Sequence, residues 1–126
     1  MPNDTLYKIC LSKRGSEQTD PFLAAVYTVP APNRNGRAKN VPQEELDTVM
    51  IDRLRKFFLT AVKYSYPSLV LGAWGCGMFG HNPEQVASYF HHLLFKEGFA
   101  QYFEDAVFAI YKGGANMRAF KKVFWQ

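Results

Sequence analysis

The residues with the strongest chemical content lie in one loop. Four glycines punctuate Gly72-Ala73-Trp74-Gly75-Cys76-Gly77-Met78-Phe79-Gly80, which follows the apolar run Leu69-Val70-Leu71 and precedes Asn82-Pro83-Glu84-Gln85. Strand, glycine loop, helix is an order that turns backbone N–H groups toward an anion. Glycine permits positive φ and leaves no Cβ in a ligand's way. Trp74, Met78 and Phe79 set apolar bulk beside that anion. Phosphate joined to a ribose or a base suits both features. Read for structure alone, the same residues make a tight turn whose aromatics fill core.

Other residue types carry weaker signals. Cys76 is a candidate nucleophile if loop amides lower its pKa, with His81 nearby in sequence. The plainer reading is a small residue inside a binding loop. Glu44 and Glu45 offer two carboxylates for general-acid work, but acidic residues also suit the first turn of any helix. His91 and His92 are adjacent; on a helix they point about 100° apart and do not converge on one metal. Lys112, Arg118, Lys121 and Lys122 scatter positive charge over the C-terminal segment. Tyr27, Tyr64, Tyr66 and Tyr111 are each able to stack on an adenine, with Tyr111 the best placed. No metal site and no cofactor are implied.

The elements that must position these residues follow from periodicity. Thr5 to Leu11 is compatible with a short strand. Phe22 to Val29 is a continuous apolar run of strand length, expected to be buried on both faces. Pro30-Ala31-Pro32-Asn33 stops it. A long helix comes next, with Asn40 and Gln43 at capping-box spacing, Pro42 in the first turn and Tyr66-Pro67 at its end. Leu46, Val49, Met50, Leu54, Phe57, Phe58, Ala61 and Val62 form its apolar face. Ser68 to Leu71 is a buried strand. The second helix takes Asn82 as N-cap, Pro83 at its first position, and Val86, Phe90, Leu93 and Leu94 inward. Gly98 ends it, Ala106 to Ile110 is a third strand, and Gly113-Gly114 leads into a last helix facing Met117, Phe120 and Phe124 inward. The order β-α-β-α-β-α predicts an α/β fold with a short, mostly parallel sheet flanked by helices. Ligands of such sheets sit beyond the carboxyl ends of the strands, so the Pro30–Asn33 and Gly72–Gly80 loops are expected to line one crevice.

At 126 residues the chain is expected to be a single domain, 1–126. Apolar residues make up 48%, enough for a packed core, and the net charge of +4 suits an anionic ligand without a dense basic block for nucleic acid. Two widely separated cysteines, Cys10 and Cys76, point to a reduced, cytoplasmic setting. The N-terminus has no signal-peptide pattern, and no apolar run reaches membrane-spanning length.

The stretch Leu69 to Gly80 with Asn82-Pro83 resembles the microbial-type poly(ADP-ribose) glycohydrolase family, a branch of the macrodomain fold whose signature reads roughly G-x-W-G-C-G-x-F. Pro30-Ala31-Pro32-Asn33 looks like the family's A-P-N loop, and Val107 to Ile110 with Asn116 to Phe120 looks like its last strand and closing helix. The resemblance implies a three-layer macrodomain-like sandwich. It also implies that Gly75, Cys76, Gly77, Met78 and Phe79 bind a diphosphate through their amides, with Phe79 against a ribose and Asn33 close to the ligand. Gly72, Trp74, Gly80 and Tyr111 complete the expected ligand-binding set. Catalytic members carry an earlier segment with three glycines and a Gln-Glu-Glu motif, which precedes the part matched here. Gln43-Glu44-Glu45 spells that motif, but after the A-P-N loop rather than before it.

The resemblance therefore implies a truncated, macrodomain-like binder of ADP-ribose or an ADP-ribose-derived, possibly cyclic, nucleotide, acting as a reader or sequestering protein. The alternative is an ADP-ribosyl glycohydrolase using Glu44 or Glu45, or completed by a partner chain. A homo-oligomer or a partner chain is expected to cover the open sheet edge.

Overall fold

The computed structural model describes residues 23–111 and 113–125. The expectations for Thr5–Leu11, Cys10 and Lys112 lie outside the described residues.

Helix α1 spans Gln43–Lys63. Its buried side chains, Leu46, Met50, Leu54, Phe58 and Ala61, recur at three- and four-residue steps and form one face. Glu44 and Glu45 in the first turn and Lys63 in the last complement the helix dipole. Pro42 is the N-cap residue and no side chain caps it. The capping box expected from Asn40 does not form, because the helix begins three residues later. Gln43 instead donates to Asp47 Oδ1 at 2.8 Å and accepts from Arg34 Nη1. The helix stops where Ser65 takes φ 58°, ahead of Pro67.

Strand β1, Ser68–Leu71, pairs in parallel with β2, Asp105–Phe108, in the register Leu69 to Ala106 and Leu71 to Phe108. Between them lies α2, Pro83–His91, which continues into a π-helical turn over His92–Lys96 and a 3-10 turn over Phe99–Tyr102. Asn82 Oδ1 accepts from the amides of Glu84 and Gln85 and Pro83 opens the helix, as its sequence predicts. Gly98 breaks the chain direction at φ 83°. Helix α3, Gly114–Phe124, closes the described chain after two glycines with positive φ.

The helices flank this short, open parallel sheet, an α/β arrangement. The core is aromatic: Phe58, Phe90, Phe108 and Phe120 are fully buried. Phe90 meets Phe58 and Phe108 edge-on, and Phe108 reaches Phe120 and Phe124. The other face of the sheet carries Val70, 66% exposed.

The strand expected over Phe22 to Val29 does not form over its described part. Residues 23–29 have no regular structure, and Leu23 and Val26 are exposed. A strand buried on both faces needs a neighbouring ladder and a covering layer. Among the described residues the sheet holds only β1 and β2, so this run has neither. Within its described part, Tyr27 packs edge-on to Phe57 at 5.4 Å.

Candidate functional site

Both loops expected to line a crevice are brought together, and they are fastened at several points. Trp74 Nε1 donates to Val29 O at 2.6 Å, Arg34 N to Phe79 O at 2.9 Å, and Asn35 Nδ2 to Met78 O at 2.9 Å. The tightest fastening is His81. It is buried, 4% exposed. Its backbone N–H donates to Gly75 O at 3.0 Å, and its Nε2 lies 2.6 Å from Pro32 O. A carbonyl only accepts, so Nε2 carries the proton. Sequence reasoning considered His81 only as a base for Cys76. The signal it missed was a histidine between a glycine and a helix N-cap, where a ring folded back onto the chain satisfies a loop carbonyl.

Glycine is required at two places in this loop. Gly75 sits at φ +76°, and a Cβ there would lie 2.9 Å from His81 Cδ2 and 3.2 Å from the Ala31 Cβ. Gly80, also at φ +76°, would meet the Asn35 side chain at 2.7 Å. These contacts press the glycine loop against residues 31–35. Gly77 differs, since a Cβ there would meet nothing within 4 Å.

The loop satisfies only part of its own donors. The amides of Trp74, Cys76, Gly80 and His81 are satisfied within the loop by Gly72 O, Ala73 O, Gly77 O and Gly75 O. Those of Gly77, Met78 and Phe79 have no acceptor among the described residues. Three consecutive exposed N–H groups form a concentration of positive partial charge. Asn82 caps its own helix, so the α2 terminus is less available than these loop amides. Met78 is 90% exposed and Phe79 39%, which places apolar side chains beside the free donors.

The remaining expected residues fall around this centre. Asn33 is next to Arg34, which bonds the loop, but its Oδ1 is engaged by the Asn35 amide at 3.0 Å. Gly72 directly follows β1, and Ala109 N, just past β2, donates to Leu71 O at 2.6 Å. Because the strands are parallel, exposed Tyr111 emerges at the same end of the sheet as the glycine loop. Glu44 and Glu45 are exposed on the first turn of α1, and Glu45 shares a separate cavity with Asn33.

For Cys76 the geometry favours the plainer reading, a small residue inside the loop. Burial pushes its thiol up to about 12, and Sγ donates to Trp74 O at 3.6 Å. The loop amides do not offset that desolvation, and His81 is committed to Pro32. His91 packs on Phe95 and Phe124, whereas His92 Nε2 bonds Glu97 Oε2 at 2.8 Å. Arg118 lies exposed near the α2 N-terminus, and Lys122 pairs with Glu84 at 3.1 Å. Sequence reasoning missed a polar bracket in which buried Tyr89 donates its hydroxyl to Asp47, which also takes Gln43. Burial, then the Asp47 bond, raises the Tyr89 pKa. The described residues contain no group of three or more His, Cys, Asp or Glu placed to hold a metal, and no helix long and apolar enough to cross a membrane.

No family model and no curated protein matches the chain. Solved structures do. The poly(ADP-ribose) glycohydrolase of Deinococcus radiodurans in complex with ADP-ribose superposes with a TM-score of 0.67 at 34% identity, over 76% of this chain and 40% of that one. Its apo form gives the same score and identity, over 76% of this chain and 41% of the other. The enzyme of Thermomonospora curvata is 42% identical with a TM-score of 0.65, over 75% of this chain and 36% of that one. The chain therefore spans about 40% of the length of the solved proteins it matches. Sequence identity and superposition agree that the chain is similar to part of the microbial poly(ADP-ribose) glycohydrolases and has their macrodomain-like α/β fold.

Proposed function

We propose that this protein binds ADP-ribose, or a nucleotide derived from it including a cyclic form, and acts as a reader or sequestering protein without cleaving its ligand. The observation that carries this reading is the row of unengaged amides at Gly77, Met78 and Phe79. They suit the oxygens of a diphosphate, and Phe79 beside them suits the face of a ribose. Tyr111, at the same end of the sheet, is the residue for the base. The relatives crystallised with ADP-ribose support the ligand class. Residues 72–80 contain no Asp or Glu, so on this reading the loop's part is to hold the ligand. Hydrolysis through Glu44 or Glu45 is the second reading, supported by Glu45 and Asn33 lining one cavity.

On the same reading the protein works in the cytoplasm. A second copy or a partner chain covers the open sheet edge, together with exposed Val70 and the exposed residues Leu23 and Val26. Mass spectrometry of nucleotide released from the purified protein, with calorimetric titration of ADP-ribose and cyclic ADP-ribose, tests the binding claim. Saturable binding of either supports it, and no heat with both ligands refutes it. Release of ADP-ribose from a modified protein, lost on Glu45→Gln or Glu44→Gln, would establish the enzyme instead.

A further inference from the structure

We propose that the cavity between loop 30–39 and α1 is a second nucleotide-binding site, separate from the glycine loop. The cavity has a volume of about 570 Å³, within the range of small-ligand pockets. None of its lining residues belongs to the glycine loop. Its apolar wall includes Ala31, Val41 and Val49, and its charged groups are Arg37, Glu45 and Arg53.

These groups are arranged for a ligand rather than for one another. The side chains of Arg37 and Glu45 have no hydrogen bond or ion pair with any described residue. Arg53 is oriented by one bond, Nη1 to Pro30 O at 2.6 Å, which leaves the rest of its guanidinium donors for another acceptor. Charges of opposite sign around one hollow, not closed into a pair, match a ligand that supplies both partners. Guanidinium groups select phosphate oxygens. A carboxylate accepts from a ribose hydroxyl or an exocyclic amine. The apolar wall takes the flat face of a base. A nucleoside monophosphate carries all three features, whereas inorganic phosphate carries only the first.

The site backs onto the same strap as the glycine loop. Ala31 lines the cavity and also faces Gly75, and Pro32 lines it while accepting from His81. A chain occupied on both sides of that strap would hold two nucleotide units, as an oligomeric ligand offers.

The test is titration of AMP and of inorganic phosphate into the full chain carrying Gly77→Glu, so that the glycine loop is disabled. The expected result is saturable AMP binding, at least tenfold tighter than phosphate. Arg37→Ser should weaken it several-fold, and Val49→Trp, which fills the hollow, should abolish it. Arg37 is exposed and unpaired among the described residues, so Arg37→Ser decides the matter if Val49→Trp does not fold. No AMP binding overturns the proposal, as does AMP no tighter than phosphate or AMP affinity unchanged by Arg37→Ser. Equal ADP-ribose affinity in wild type and in Gly77→Glu would refute the glycine-loop reading and leave this result standing.

Discussion

Replacing Gly75 with alanine isolates the geometry of the glycine loop. Two costs add at this position. A non-glycine residue in the left-handed region costs about 1–2 kcal/mol, and Gly75 sits at φ +76°. The new methyl would also lie 2.9 Å from His81 Cδ2 and 3.2 Å from the Ala31 Cβ. Neither neighbour yields easily. His81 is 4% exposed and held to Pro32 O, and Ala31 is 8% exposed against the loop. Forcing a methyl into such a packed contact costs about 1–3 kcal/mol. The expected destabilisation is therefore about 2–5 kcal/mol, a large share of a typical total of roughly 5–15 kcal/mol. With a urea slope of about 1–3 kcal/mol/M, the midpoint should fall by at least about 0.7 M. Trp74, itself bonded to Val29 O, gives a fluorescence signal at the site. Gly77→Ala is the control: its Cβ meets nothing within 4 Å and its φ is not positive, so its midpoint should shift by no more than about 0.5 kcal/mol equivalent. Equal midpoints for the two variants would refute the claim that Gly75 is held against His81.

Two further outcomes follow from the titrating groups. In a Cys10→Ser background, Cys76 should react with iodoacetamide at neutral pH far more slowly in the folded protein than in urea, because burial pushes its thiol up to about 12; equal rates would contradict that burial. Glu97 takes both Arg55 Nε and Nη2 at 2.8 Å, a bond that holds its pKa below the usual carboxylate value. A depressed folded pKa stabilises above the unfolded pKa and is lost as pH falls through the folded one. Glu97→Gln should therefore cost no more than about 1 kcal/mol at pH 7, and the gap to wild type should close below about pH 4; a gap that persists there would show that the ion pair is not its source.

The helices were legible because their signals are local. The apolar steps of α1 and the Asn82-Pro83 start of α2 each follow from a few neighbouring residues. The strand–loop–helix order around Gly72 to Gly80 was legible for the same reason. The run ending at Val29 was misread because a doubly buried strand and an exposed extended segment share one composition. What separates them is a partner strand, which lies elsewhere in sequence. Asn40 shows the limit of motif spacing: capping-box residues need the helix to begin between them, and α1 begins at Gln43. His81 and Tyr89 were missed because their roles come from long-range partners, Pro32 O and Asp47.

Calorimetric titration of ADP-ribose into the wild-type chain and into Gly77→Glu tests the central claim most directly. The Gly77 position has room for a side chain, so the variant should keep the wild-type unfolding midpoint. Its carboxylate would stand where the free amides of Gly77, Met78 and Phe79 meet the ligand's diphosphate. The account predicts saturable binding by wild type and a loss of at least about tenfold in affinity, about 1.4 kcal/mol, in the variant. Equal affinity in two equally stable proteins would contradict it.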